Sequence, residues 1–263
     1  MSRLVTCAVL VMVFLLQVEP AHSEWYVSGY GGYSAAQPLK DVTMDSFGER
    51  SAVDRYLFVT DNVTLGDTLT QKFTASDLSL KQSTLFGGKG GYFFNAEGFP
   101  WLGVELEAFT TKPTIKTQTA STEQDIIFTK RDFNSACPLP APTNQCSGQE
   151  HLSSTLGVDQ SSLRLITVVF NVVARYPGEI FQPYVGIGGG AFYFSSSGQI
   201  DGRQVVPGLN VQTGLKVLAT KEWGLFVEGK YNYATITNLD PTGSGLSGVY
   251  NAFIVLAGVA YHF

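Results

Sequence analysis

Trp101-Leu102-Gly103-Val104-Glu105-Leu106-Glu107-Ala108-Phe109-Thr110-Thr111 alternates residue by residue: Leu102, Val104, Leu106 and Ala108 fall on one side, Gly103, Glu105, Glu107 and Phe109 on the other. Successive side chains of an extended chain point to opposite faces, so this stretch reads as a strand with one apolar and one charged side. The same period recurs. In Leu225 to Tyr233, Leu225, Val227, Gly229, Tyr231 and Tyr233 oppose Phe226, Glu228, Lys230 and Asn232. In Gly208 to Ala219, Leu209, Val211, Thr213, Leu215 and Val217 oppose Asn210, Gln212, Gly214 and Lys216. Further strands are predicted at 25–34, 83–94, 162–176, 182–195 and 250–263, making eight.

The connections between them alternate in length: long at 35–82, 112–161, 196–207 and 234–249, short at 95–100, 177–181 and 220–224. Asn95-Ala96-Glu97-Gly98-Phe99-Pro100 and Pro177-Gly178-Glu179 carry turn residues. An even strand count with tight turns at one end and long loops at the other is the pattern of a transmembrane β-barrel. A soluble sandwich or lipocalin-like barrel alternates too, and alternation alone does not say which face is inside. Aromatic residues at strand ends favour the membrane reading, because interfacial girdles need them there. They are Trp25, Tyr26, Phe93, Phe94, Trp101, Tyr176, Tyr184, Trp223, Tyr261 and Phe263. The expected fold class is all-β: an eight-stranded antiparallel transmembrane barrel over 24–263, with long extracellular loops and short periplasmic turns.

Composition agrees without deciding. The 263 residues hold 17 Lys+Arg against 22 Asp+Glu, a net charge of −5, with 15% charged residues and 28 glycines. The acidic balance and the lack of a basic block argue against nucleic acid as a partner. Residues 1–23 stand apart. Arg3 precedes an apolar run from Leu4 to Val18, followed by Ala21-His22-Ser23, a small-x-small site. This is the form of a cleaved signal peptide, too short for a membrane anchor, and export would begin the mature chain at Glu24. In an exported chain Cys137 and Cys146, flanking a proline-rich turn, most simply form a local disulfide, contributing about 2.5–3 kcal/mol in the chain-entropy model. They lack the histidine neighbours of a zinc site.

The last predicted strand, from Phe253 to Phe263, sets Phe253, Val255, Ala257, Val259, Tyr261 and Phe263 on one face and ends on an aromatic residue. With Phe86-Gly87-Gly88-Lys89-Gly90-Gly91-Tyr92-Phe93-Phe94, Pro100-Trp101-Leu102-Gly103-Val104-Glu105 and Pro183-Tyr184-Val185-Gly186-Ile187-Gly188-Gly189-Gly190, it resembles the small eight-stranded outer-membrane barrels: the OmpA transmembrane domain, OmpX and the opacity proteins. The resemblance covers most of residues 24–263. It implies a Gram-negative outer membrane, a surround of outer-membrane lipid and lipopolysaccharide, and recognition of the terminal strand by the barrel-assembly machinery. The first two outer loops are longer than the family's, and no peptidoglycan-binding domain is expected after Phe263.

Lys89, Glu105, Glu107, Arg175, Lys216, Glu228 and Lys230 fall on the face expected to line the barrel, at similar depth. An eight-stranded barrel is just wide enough for side chains to fill, so these charges are expected to pair as an interior ion network rather than act on a substrate. Phe109 and Phe226 would help fill the lumen. Gly186-Ile187-Gly188-Gly189-Gly190-Ala191 matches a dinucleotide fingerprint but is followed by more strand, and the fingerprint requires a helix. Gly186, Gly188 and Gly190 instead leave interior room for bulky neighbours. His151-Leu152-Ser153 resembles the His-x-Ser of a lipid A deacylase, yet is expected in a polar loop; His262 has no serine or metal partner in view. Asn62-Val63-Thr64 fits a glycosylation acceptor that means little in a bacterium. Tyr56-Leu57-Phe58-Val59 is a β-prone run within the first loop.

No enzyme, cofactor or metal is expected. The function expected is a structural or surface-recognition role, with an extracellular ligand meeting loops 35–82 and 112–161. A narrow pore is the alternative, and a lipid A-modifying enzyme the third reading.

Overall fold

The computed structural model describes residues 24–56, 68–130 and 146–263. In chain order the elements are β1 (Glu24–Ala36), β2 (Lys40–Met44), α1 (Asp45–Tyr56), β3 (Thr68–Ala75), β4 (Leu80–Lys81), β5 (Ser83–Phe94), β6 (Phe99–Thr111), β7 (Thr114–Ile115) and β8 (Gln118–Lys130). They continue with β9 (Cys146–Val158), β10 (Ser161–Arg175), β11 (Phe181–Ser197), β12 (Gly202–Leu218), β13 (Trp223–Ile236) and β14 (Leu246–His262). Eight strands pair antiparallel in the order β1-β5-β6-β10-β11-β12-β13-β14, and β14 returns to β1 from Tyr26↔His262 to Ala36↔Ala252. The sheet therefore closes and these strands have no edge, as a membrane-spanning sheet requires.

The eight barrel strands are the eight predicted ones. In the lower and middle barrel the apolar parity points outward: Leu106, Val185, Ile187, Leu225, Val227, Phe253 and Val255 are all exposed, while Glu105, Glu107, Lys216, Glu228 and Lys230 are buried. Such a wall suits hydrocarbon outside and a filled lumen inside, and the protein is a transmembrane barrel. Around its mouth Trp25, Trp101, Tyr176, Trp223 and Phe263 are exposed, as an aromatic girdle requires. Three members expected in that girdle, Tyr26, Phe93 and Tyr184, instead lie inside, because they fall on the inward parity of their strands.

Two expectations about the connections fail. The third long loop, 196–207, shrinks to 198–201, because β11 and β12 stay paired out to Ser196↔Gly202. The first two are not plain loops. The strands β2, β3, β8 and β9 pair in that order beyond β14, repeating the order of β1, β5, β6 and β10, the strands they adjoin in sequence. Loops one and two thus build a common wall above the barrel, at the end away from the short turns. The short links also bond across: the amide of Leu39 donates to Leu78 O (2.8 Å), and that of Leu78 to Leu39 O (3.0 Å).

Helix α1 packs on this wall. Its sequence, Asp45-Ser46-Phe47-Gly48-Glu49-Arg50-Ser51-Ala52-Val53-Asp54-Arg55-Tyr56, carries little apolar periodicity, so tertiary packing holds it more than propensity does. Ala52 is buried with Ile126 and Phe128, and the Phe47 ring meets Phe73 edge-on at 5.3 Å. Gly48 permits the contact: a Cβ there would stand 2.5 Å from Phe73 Cβ. Gln124 Nε2 donates to the Gly48 carbonyl at 2.8 Å. Tyr56 ends the helix, and the remainder of the β-prone run, Leu57-Phe58-Val59, lies outside the described residues, as do residues 1–23, Asn62-Val63-Thr64 and Cys137.

Candidate functional site

Three layers fill the lumen. At the short-turn end Arg175 reaches Glu24: Nη1 donates to Oε1 at 2.7 Å and Nη2 to Oε2. Its Nε donates to Pro100 O (3.0 Å), and the guanidinium lies 3.7 Å over the Phe93 ring. His262 Nδ1 sits 2.6 Å from Glu24 Oε1. Lys216 Nζ lies 3.3 Å from His262 Nε2 and 4.2 Å over the Tyr26 ring.

Above it runs a belt of charges. Lys89 Nζ is 2.5 Å from Glu228 Oε2 and 3.2 Å from Glu105 Oε2. Lys230 Nζ pairs with Glu107 Oε1 and lies 2.9 Å from Glu228 Oε1. Two lysines face three carboxylates, and tyrosine hydroxyls stabilise the excess negative charge. Tyr26 donates to Glu105 (2.6 Å), Tyr30 to Glu107 and Tyr184 to Glu228. Gln212 and Asn171 donate to Glu105 at 2.9 and 3.1 Å, and Asn210 donates to Asn171 Oδ1 at 2.8 Å. Each belt carboxylate thus meets a lysine ammonium and a tyrosine hydroxyl, the pairing that a charge in a dry interior requires.

The seven charged residues singled out from sequence thus occupy two levels rather than one. Lys89, Glu105, Glu107, Glu228 and Lys230 make the belt, whereas Arg175 and Lys216 belong to the mouth, with Glu24 and His262. Sequence reading missed Glu24 and the hydrogen-bonding shell of Tyr26, Tyr30, Tyr184, Asn171, Asn210 and Gln212. A signal existed: each shares the inward parity of its strand. Gly188, on β11, allows the closest of these contacts, since a Cβ there would lie 2.1 Å from Asn171 Oδ1.

The third layer is apolar. Leu163, Leu165, Val169, Phe192, Phe194, Val206, Ile236, Leu246 and Tyr250 fill the upper barrel, continuous with Met44, Phe73, Ala120 and Val158 of the wall above it. Phe109 and Phe226 pack below with Tyr30, Ile254 and Leu256. Within the lower lumen, between Lys89, Glu105, Tyr184 and Lys216, the cavity measures about 10 Å³, room for about one water molecule.

The terminal strand presents Phe253, Val255, Ala257 and Val259 to the exterior. Tyr261 lies between Trp223 (5.0 Å) and Phe263 (6.0 Å), and the Phe263 amide donates to Trp25 O at 3.0 Å. His151 corrects the sequence reading. It lies on β9, not in a loop, opposite Asp125 of β8, with Nδ1 2.7 Å from Asp125 Oδ1. That carboxylate, by hydrogen bond and charge, raises the His151 pKa above its ordinary 6.5. Cys146 opens β9. Among the described residues no cluster of three or more metal-ligating side chains occurs.

No family model matches the chain, and no curated protein matches it in sequence. Solved structures similar to it include Neisserial surface protein A, at 13% identity with a TM-score of 0.46, covering 91% of this chain and 97% of that one. The outer-membrane protein OprG of Pseudomonas aeruginosa gives 15% and 0.42 over 92% of this chain and 98% of its own. Ail, the attachment invasion locus protein of Yersinia pestis, gives 14% and 0.40 over 92% and 100%. The likeness is one of fold.

Proposed function

We propose that this barrel is a surface protein of the Gram-negative outer membrane whose extracellular wall meets a partner outside the cell. The observation that carries the reading is the filled lumen. A barrel packed with ion pairs and then with an apolar core conducts nothing, while strands that continue above it hold a folded surface in place. That surface includes Glu123, Asp125, Ile127, His151 and Ser153, all exposed on the β8–β9 hairpin. In this reading residues 1–23 are the cleaved export signal and Cys137 bonds to Cys146 near the hairpin tip. The strand ending at Phe263 is read by the barrel-assembly machinery, and the apolar wall faces lipid and lipopolysaccharide.

The test screens intact cells displaying the protein against extracellular macromolecules, comparing wild type with Glu123→Lys, Asp125→Lys and Ile127→Ser. Surface substitutions are used because Val42, Met44, Phe73 and Ala120, which excision of the loops would remove, belong to the shared core. Binding that the surface substitutions abolish while the barrel stays assembled supports the reading. Steady single-channel steps in planar bilayers, altered in size by Lys89 or Glu107 substitutions, would replace it with the pore.

A further inference from the structure

A partly open cavity of about 190 Å³ lies where the extracellular wall meets the barrel rim. Met44 of β2, Phe47 of α1, and Leu156 and Val158 of β9 form its sides, and Ile200 of the β11–β12 turn its floor. Met44, Val158 and Ile200 are each 2% exposed. Two polar residues reach the lining, and each is hydrogen-bonded to the turns around it. Gln199 Oε1 accepts from the Asp159 amide (2.6 Å) and its Nε2 donates to Gly157 O (3.3 Å). The Ser244 amide donates to Asp240 Oδ2 at 2.9 Å, and its hydroxyl to the same oxygen at 3.4 Å. Among the described residues no charged side chain lines the space.

The lining is mostly apolar, and a space of this size accepts a benzene-sized molecule, which displaces water that finds few polar partners there. We infer that the cavity is a binding site for a small uncharged apolar molecule, one aromatic ring or an alkyl group of about six to eight carbons. Its walls come from β2, α1, β9 and two turns, so a bound molecule ties the extracellular wall to the barrel rim. This inference stands whether or not the hairpin surface meets a macromolecular partner.

Methionine occurs at 1, 12 and 44, so Met44 is the single methionine of the described residues and reports from inside the cavity. The full chain with carbon-13 methionine methyls, assembled in lipid nanodiscs, is titrated with toluene and separately with benzoate. The expected result is a saturable shift of the Met44 methyl with toluene, and none with benzoate, because no cation lines the site. Val158→Phe, which fills the cavity, should weaken the response at least tenfold. Should that variant lose its heat-modifiable gel mobility, Leu156→Phe at a half-buried part of the wall serves in its place. A response that rises linearly with toluene, that matches benzoate, or that survives filling would overturn the site.

Discussion

Strand β11 crosses two environments and reverses its meaning between them. Near its start Val185 and Ile187 are 57% and 62% exposed, pointing outward, while Tyr184 points inward to a carboxylate. Ten residues on, Phe192 and Phe194 are fully buried in the lumen, and Ser195 and Ser197 face out. The lower barrel is polar within and apolar without; the upper barrel and the wall above it follow the usual order of a soluble protein. The strand geometry is the same throughout. What differs is the solvent, hydrocarbon below and water above, and each region places its apolar side chains accordingly. The upper part thereby acquires one continuous hydrophobic core, and the lower part must hold itself together with paired charges.

That contrast is open to attack at several points. The largest effect is expected in the belt. Glu228→Ala leaves Lys89 and Lys230 short of a shared carboxylate and should cost about 3–5 kcal/mol in urea unfolding from lipid. Glu123→Ala, on the exposed hairpin face, should change stability by less than about 0.5 kcal/mol. Equal midpoints for the two would show that the lumen does not depend on its ion pairs.

A matched pair of surface substitutions tests the reversal itself. Val255 on the barrel wall and Ile127 on the extracellular hairpin are 69% and 53% exposed. Val255→Lys should destabilise by about 2–4 kcal/mol if it faces mid-membrane, and Ile127→Lys by about 0.5 kcal/mol or less. Similar costs at both would place the two surfaces in one solvent.

The proposed Cys137–Cys146 bond offers a test that leaves the lumen untouched. Non-reduced peptide mapping of protein from its native envelope should join Cys137 to Cys146, and replacing both should remove about 2.5–3 kcal/mol or less while the barrel still assembles. Barrel loss on replacement would mean that the hairpin tip supports the lumen.

The smallest effect is the titration of His151. With its pKa raised by Asp125, the pair contributes stability that is present below the ordinary value of 6.5 and is lost as the pH rises through the higher folded value. The carbon-13 or proton shifts of the imidazole should give a midpoint above 6.5, and Asp125→Asn should bring it back down. A midpoint unmoved by Asp125→Asn would break the pairing.

How much of this was legible beforehand differs between the halves. In β6 and β13 the charges of one parity, Glu105, Glu107, Glu228 and Lys230, stand against aliphatic neighbours, so strand, face and lumen all follow from the order of residues. Tyr26 and Tyr184 were misread because an aromatic near a strand end suits a girdle and a lumen equally; only parity relative to Glu105 and Glu228 separates them. The extracellular wall was nearly illegible. The stretch Gln118-Thr119-Ala120-Ser121-Thr122-Glu123-Gln124-Asp125 is polar on both parities, and α1 presents few apolar residues, so neither announces a partner.

Alternation alone determined that eight barrel strands exist, where they lie, and which of their side chains travel together on a face, because the two-residue period of an extended chain is local and survives in any environment. The tertiary structure decided what lies across from what. It set Lys89 on Glu228, 139 positions away, and gathered Glu24 with Arg175 and His262. It also joined two remote loops into one wall and left an apolar cavity at their seam. Those outcomes depend on register and closure, and register is fixed by the summed packing of all the strands, a quantity no single stretch of sequence contains.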